Sequence, residues 1–255
     1  MRVRDVMTSD ILDARRDEAL ADVARRMNER QVLAALVERG PQERSAGICT
    51  TRDVLGAIAD GRDPGSTPVS ETFTPEATAS GPDWSLERAA EAMLEGNFRH
   101  LVVAQDGETL GVVSQRDIVR VWVRERSWRT TIQIREAMTS DFLSCEGEQS
   151  VREAAQRMAG ERTGAAIVPT GKRRSPPGII TERGILAMVA AGGDPSTERV
   201  ADHLTAARTY SAPDWSLKQA AEAMIKGGFE HIMVVDATGT VGIVSMRQVL
   251  RRWLD

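Results

Sequence analysis

The stretch SGPDWSLERAAEAMLEGNFRHLVV, residues 80–103, returns as SAPDWSLKQAAEAMIKGGFEHIMV at residues 211–234, identical at 15 of 24 positions. Two flanking stretches return with it. RVRDVMTSDIL (2–12) becomes QIREAMTSDFL (133–143), and TTRDVLGAIADGRDP (50–64) becomes TERGILAMVAAGGDP (181–195). The offset is 131 residues throughout: Arg4 to Arg135, Arg52 to Arg183, Trp84 to Trp215, His100 to His231. No insertion interrupts it. The chain therefore divides into two copies, 1–124 and 132–255, joined by a linker at 125–131. Self-similarity at a fixed offset is the signature of a repeat architecture.

Each copy is itself double. GICTTRDVL begins at Gly47 and GVVSQRDIV at Gly111; GIITERGIL begins at Gly178 and GIVSMRQVL at Gly242, 64 residues apart in both copies. The four motifs span about 1–62, 66–124, 132–193 and 197–255. Units of roughly 60 residues are short for an independent core, so they are expected to pair.

Periodicity gives one order of elements for every motif. In the second, Leu86, Ala89, Ala90, Met93 and Leu94 fall on one face of a helix that Ser85 or Asp83 caps. The same stripe is Leu20, Val23, Ala24 and Met27 in the first motif and Val151, Ala154, Ala155 and Met158 in the third. In the fourth it is Leu217, Ala220, Ala221, Met224 and Ile225. These stripes read as core. Two short apolar runs, His100–Ala104 and Leu110–Val113, flank the turn Gln105-Asp106-Gly107 and predict a hairpin. A second helix starts at Ser114. The expected fold class is α/β, with strand, helix, strand, strand and helix in each motif.

Composition excludes several classes. Of 255 residues, 41% are hydrophobic and 27% charged, as in ordinary globular proteins. No apolar run reaches the roughly 20 residues of a membrane-spanning helix, and MRVRDVMTSD carries no apolar signal core. Two cysteines, Cys49 and Cys145, make no disulfide framework, which fits a reducing cytoplasm. A net charge of −4 argues against a nucleic-acid partner. Lys172-Arg173-Arg174, before Pro176-Pro177-Gly178, reads as a solvated loop. Three histidines and no clustered cysteines leave no metal site. No nucleophile–base pair or paired acids suggest catalysis.

A leading D-V-M-T, a helix with S-L-x-x-A-A-x-x-M, then R-H-L-V-V and G-V-V-S-x-R-D-I together resemble the cystathionine-β-synthase-type (CBS) domain. The resemblance covers nearly the whole chain and rests on order, spacing and fourfold repetition. It implies two CBS pairs (Bateman modules), 1–124 and 132–255, stacked as a pseudo-twofold disc, with homodimerisation open. It implies a non-catalytic role in signal transduction. Many members bind adenosine-containing ligands such as AMP, ADP, ATP or S-adenosylmethionine, so the implied ligand is regulatory and no cofactor is expected. The target protein is not legible.

The residues give that ligand a chemistry. Thr50-Thr51-Arg52-Asp53 and Ser114-Gln115-Arg116-Asp117 each open a helix directly after a buried strand. A helix start attracts phosphate through its free N–H groups and dipole. A hydroxyl can donate to a phosphate oxygen, Arg52 or Arg116 adds charge-assisted bonds, and the carboxylate can accept from both ribose hydroxyls. By resemblance, Thr50, Asp53, Ser114 and Asp117 hold phosphate and ribose. Phe98, Arg99 and His100 line the base or phosphate cleft, with backbone near Ile11 and Thr78–Ala79 beside the base. The residues alone also read as capping boxes, and each arginine as a surface or salt-bridge residue. In the second copy Asp53 becomes Gly184, Asp117 becomes Gln248 and Arg99 becomes Glu230. Binding is therefore expected in the N-terminal pair, with the C-terminal pair serving assembly or another ligand. A scaffold without any ligand is the competing reading, and a DNA-binding regulator is disfavoured by the lack of a basic face.

Overall fold

The computed structural model describes residues 1–40, 46–124, 132–169, 177–205 and 210–255. The linker at 125–131 and the basic loop at 172–174 lie outside the described residues. The first motif holds β1 (Asp13–Ala14), α1 (Leu20–Glu29), β2 (Ala34–Val37), β3 (Gly47–Thr50) and α2 (Thr51–Ala59). The second holds β4 (Ala79–Ser80), α3 (Leu86–Glu95), β5 (His100–Gln105), β6 (Glu108–Ser114) and α4 (Gln115–Arg124). The third holds α5 (Val151–Gly160), β7 (Ala165–Val168), β8 (Gly178–Thr181) and α6 (Glu182–Ala190). The fourth holds β9 (Tyr210–Ser211), α7 (Leu217–Gly227), β10 (His231–Asp236), β11 (Gly239–Ser245) and α8 (Met246–Leu254). The α/β order read from periodicity is present, except that in the third motif the first strand shrinks to one parallel bridge, Ser144 to Ile167.

The local chemistry explains the elements. Leu86, Ala89, Ala90 and Met93 of α3 are all buried, and Ser85 is the cap, its hydroxyl accepting from the Arg88 amide at 3.2 Å. β5 runs antiparallel to β6 from His100 opposite Ser114 to Gln105 opposite Glu108, with β4 parallel on its other edge. Asp106 and Gly107 take φ of 53° and 85°, the paired left-handed residues that let a two-residue turn follow the twist of its strands.

The chain forms two compact units, and each takes one motif from each copy. One comprises Ile11–Ala77 and Leu143–Ala207, the first and third motifs. In it α1 packs on α6 and α5 on α2, while α2 and α6 meet each other. Leu20, Met27, Ile58, Met158, Ile180 and Ile185 fill its core. The other comprises Met1–Asp10, Thr78–Phe142 and Arg208–Asp255, the second and fourth motifs. There α4 packs on α7 and α8, and α3 on α8. Trp122, fully buried, stacks on Trp253.

The leading D-V-M-T segments pack away from the motif they open. Thr8 exchanges backbone hydrogen bonds with Val112 of β6, at 2.9 and 3.0 Å. Gly111 makes this approach possible, since a Cβ there would sit 2.8 Å from the Thr8 carbonyl oxygen. The second copy repeats the device with Thr139, Ile243 and Gly242. Conversely Thr74, in the opening segment of the second motif, pairs with Ile48 of β3 in the first.

Candidate functional site

Both N-terminal tetrads sit where the sequence reading places them, at the junction of a buried strand and a helix. At the start of α2 the Thr50 amide and hydroxyl both donate to one oxygen of Asp53, at 2.6 and 2.7 Å, and the Arg52 amide donates to the Thr50 hydroxyl at 3.2 Å. Burial pushes the Asp53 carboxyl above the usual carboxylate range. The Thr50 donors and Arg52 pull it back only partly. At the start of α4 the Ser114 amide and hydroxyl donate to Asp117 at 3.0 and 2.6 Å, and Arg120 holds the second carboxylate oxygen at 3.0 Å. Each tetrad is thus a closed capping box that also displays a carboxylate and a hydroxyl at a positive helix end.

The second copy keeps the caps and loses the acids. At α8 the Ser245 amide donates to the Gln248 side-chain oxygen at 2.6 Å, and the Gln248 amide returns to the Ser245 hydroxyl at 3.4 Å. At α6 the Gly184 amide donates to the Thr181 hydroxyl at 3.1 Å, and that hydroxyl meets the Thr205 hydroxyl at 3.5 Å in place of an acid. A Cβ on Gly184 would lie 3.1 Å from the His203 carbonyl oxygen, so a side chain at the place of Asp53 would press on backbone.

The recurring arginines turn toward the partner motif of their own unit. Arg52 lies 3.8 Å from Glu182, Arg183 donates to the Gln31 side chain at 2.6 Å, and Arg247 donates to the Leu94 carbonyl at 2.5 Å. Arg99 pairs with Glu230 at 3.3 Å, with side chains only 16% and 17% exposed. Burial raises the Glu230 carboxyl, but Arg99, His231, Arg116 and His100 together hold it below the usual range. Sequence reading placed Arg99 against a phosphate and Glu230 as an obstacle to one; in the folded chain each is the other's partner. Glu182, buried and bonded by the Thr51 hydroxyl at 3.0 Å, was not singled out from sequence. The signal available was its position, 131 residues from Thr51.

Among the described residues, no group of three His, Cys, Asp or Glu could hold a metal, and no helix is long and apolar enough to cross a membrane. Burial, reinforced by Asp53, pushes the Cys49 thiol up and away from the reactive thiolate.

The CBS domain profile matches residues 3–60, 69–124, 134–191 and 210–255. The chain is 32% identical over 118 residues to the CBS domain-containing protein YhcV of Bacillus subtilis, covering 46% of this chain and 81% of YhcV. It is 24% identical over 278 residues to CBSCBSPB3 of Arabidopsis thaliana, spanning half of that protein. The crystal structure of MJ1225 from Methanocaldococcus jannaschii, described as a putative archaeal homolog of g-AMPK, superposes with a TM-score of 0.85 at 17% identity. It covers 99% of both chains and so shares the fold. Four matched domains over most of the sequence, and a fold shared from end to end, make this chain a member of the CBS domain family.

Proposed function

We propose that this chain is a non-catalytic regulatory sensor that binds an adenosine-containing ligand (AMP, ADP, ATP or S-adenosylmethionine) through its N-terminal CBS pair, residues 1–124. It signals to a target protein by a change of conformation or assembly, and the C-terminal pair, 132–255, serves assembly. The observation that carries this reading is the contrast between Asp117 and Gln248. Gln248 completes the cap of α8 without a charge, so capping alone does not call for an acid at the start of α4. Asp53 adds to it, because a carboxylate raised by burial gains from two incoming hydroxyl donors. Thr50 and Ser114 then hold phosphate, Asp53 and Asp117 hold ribose, and Arg52 and Arg116 add positive charge. Arg99 joins them by exchanging Glu230 for a phosphate oxygen.

The same ion pair favours a second reading. With Arg99 already matched and both tetrads closed as caps, the chain also serves as a scaffold with no nucleotide. A thermal-shift screen of the whole chain with the four ligands separates the two. A site occupied at 100 times its Kd adds about 2.7 kcal/mol, which raises Tm by roughly 5–11 °C in a chain of this size. No shift with any of the four leaves the scaffold.

A further inference from the structure

Two side-chain contacts join positions that are copies of each other. In the unit of the first and third motifs Thr51 donates to Glu182, and in the unit of the second and fourth Arg99 pairs with Glu230; both pairs are 131 residues apart. Trp122 and Trp253 stand at the same offset and stack with planes 13° apart. A residue meets its own copy only beside a local twofold axis, so each unit carries such an axis between its two motifs. On an axis of true symmetry the facing residues are identical, and a charge there faces itself. In this chain the facing residues come from different copies, and they are complementary.

What these positions enforce depends on which copies meet. If a first copy packed on another first copy, Arg99 would face Arg99. If a second packed on a second, Glu230 would face Glu230, and Glu182 would face Glu182 at a site where it is only 3% exposed. Like charges withdrawn from water repel far more than on an open surface. The tryptophan stack is the same in every combination and discriminates nothing.

We propose that Thr51–Glu182 and Arg99–Glu230 form a pairing code, by which the interaction surface of one copy accepts the other copy and rejects its own kind. The code acts by repulsion of the wrong partner as much as by attraction of the right one. The partner this surface fits is the opposite copy, in the same chain or in a second chain.

Full-length variants test the code without any ligand. An acidic chain (T51E/R99E) and a basic chain (E182T/E230R) each leave like groups facing, and each is expected to lose roughly 5–10 °C of Tm. The fourfold inversion T51E/R99E/E182T/E230R restores complementarity in reverse and is expected within about 3 °C of the parent. Acidic and basic chains co-expressed are expected to form a 1:1 heterodimer by light scattering, since each then finds complementary faces only in the other. A fourfold inversion no more stable than the half inversions overturns the proposal. So does failure of the co-expressed chains to associate, including the case where each alone aggregates.

Discussion

Asp53 is a carboxylate in a place where a neutral side chain could do half its work. Its acceptor oxygen takes the Thr50 amide at 2.6 Å and the Thr50 hydroxyl at 2.7 Å. Asp53→Ala strands the Thr50 amide, while the Thr50 hydroxyl is free to turn and keeps the bond it accepts from the Arg52 amide. A buried donor left unpaired costs about 1–3 kcal/mol, which lowers Tm by about 2–12 °C. Asp53→Asn keeps an acceptor oxygen and deletes a buried charge. The Asp53 carboxyl is raised above its unfolded value, so the folded state holds its proton more tightly than the unfolded one. The stability it contributes is complete below the unfolded value, about 3.9, and is lost as pH rises through its folded value. Asn does not titrate. The Asn variant is therefore expected to match or exceed the parent at pH 7, and its advantage is expected to shrink as pH falls toward 4. Calorimetric Tm of parent, Ala and Asn chains at intervals from pH 4 to 8 measures this. A parent-minus-Asn difference that is flat with pH, or an Asn variant as damaged as Ala, would refute the reasoning.

Two further outcomes follow from packing. Trp122→Ala empties the stack on Trp253 at a fully buried site and is expected to cost about 3–5 kcal/mol, read as a Tm loss of roughly 6–20 °C. Gly184→Asp restores the acid of the first copy, but its Cβ would press on the His203 carbonyl at 3.1 Å. It is expected to lower Tm by a few degrees and to add no adenosine binding by titration calorimetry.

The elements and the fourfold order were legible because they rest on local signals repeated at one offset. The buried stripe of α3 and the cap at Ser85 are read within a few residues. The leading segments were not legible. Nothing near Thr8 announces a bridge to Val112, and Gly111 reads as an ordinary strand glycine until the approaching carbonyl is seen. The grouping of motifs into units was equally hidden, because apolar helix faces say that they pack and not on which neighbour. At the candidate site the tetrads were legible as strand-to-helix junctions, but the roles of the arginines were not. Arg52, Arg183 and Arg247 find partners in another motif, beyond the reach of any sequence window. In sequence Glu230 stands only as the counterpart of Arg99, and nothing local marks the two as partners.

The central claim is that Asp53 and Asp117 hold a ligand and do not merely cap their helices. Isothermal titration of the full chain with AMP, ADP, ATP and S-adenosylmethionine, repeated on the Asp53→Asn/Asp117→Asn variant, tests it most directly. Hydrogen bonds to charged groups contribute about 1.5–3 kcal/mol, so each lost carboxylate is expected to weaken its site roughly 10- to 150-fold. The account predicts that loss of affinity in a variant whose ligand-free Tm is not reduced. Binding of equal strength in parent and variant would contradict it and leave the aspartates as caps.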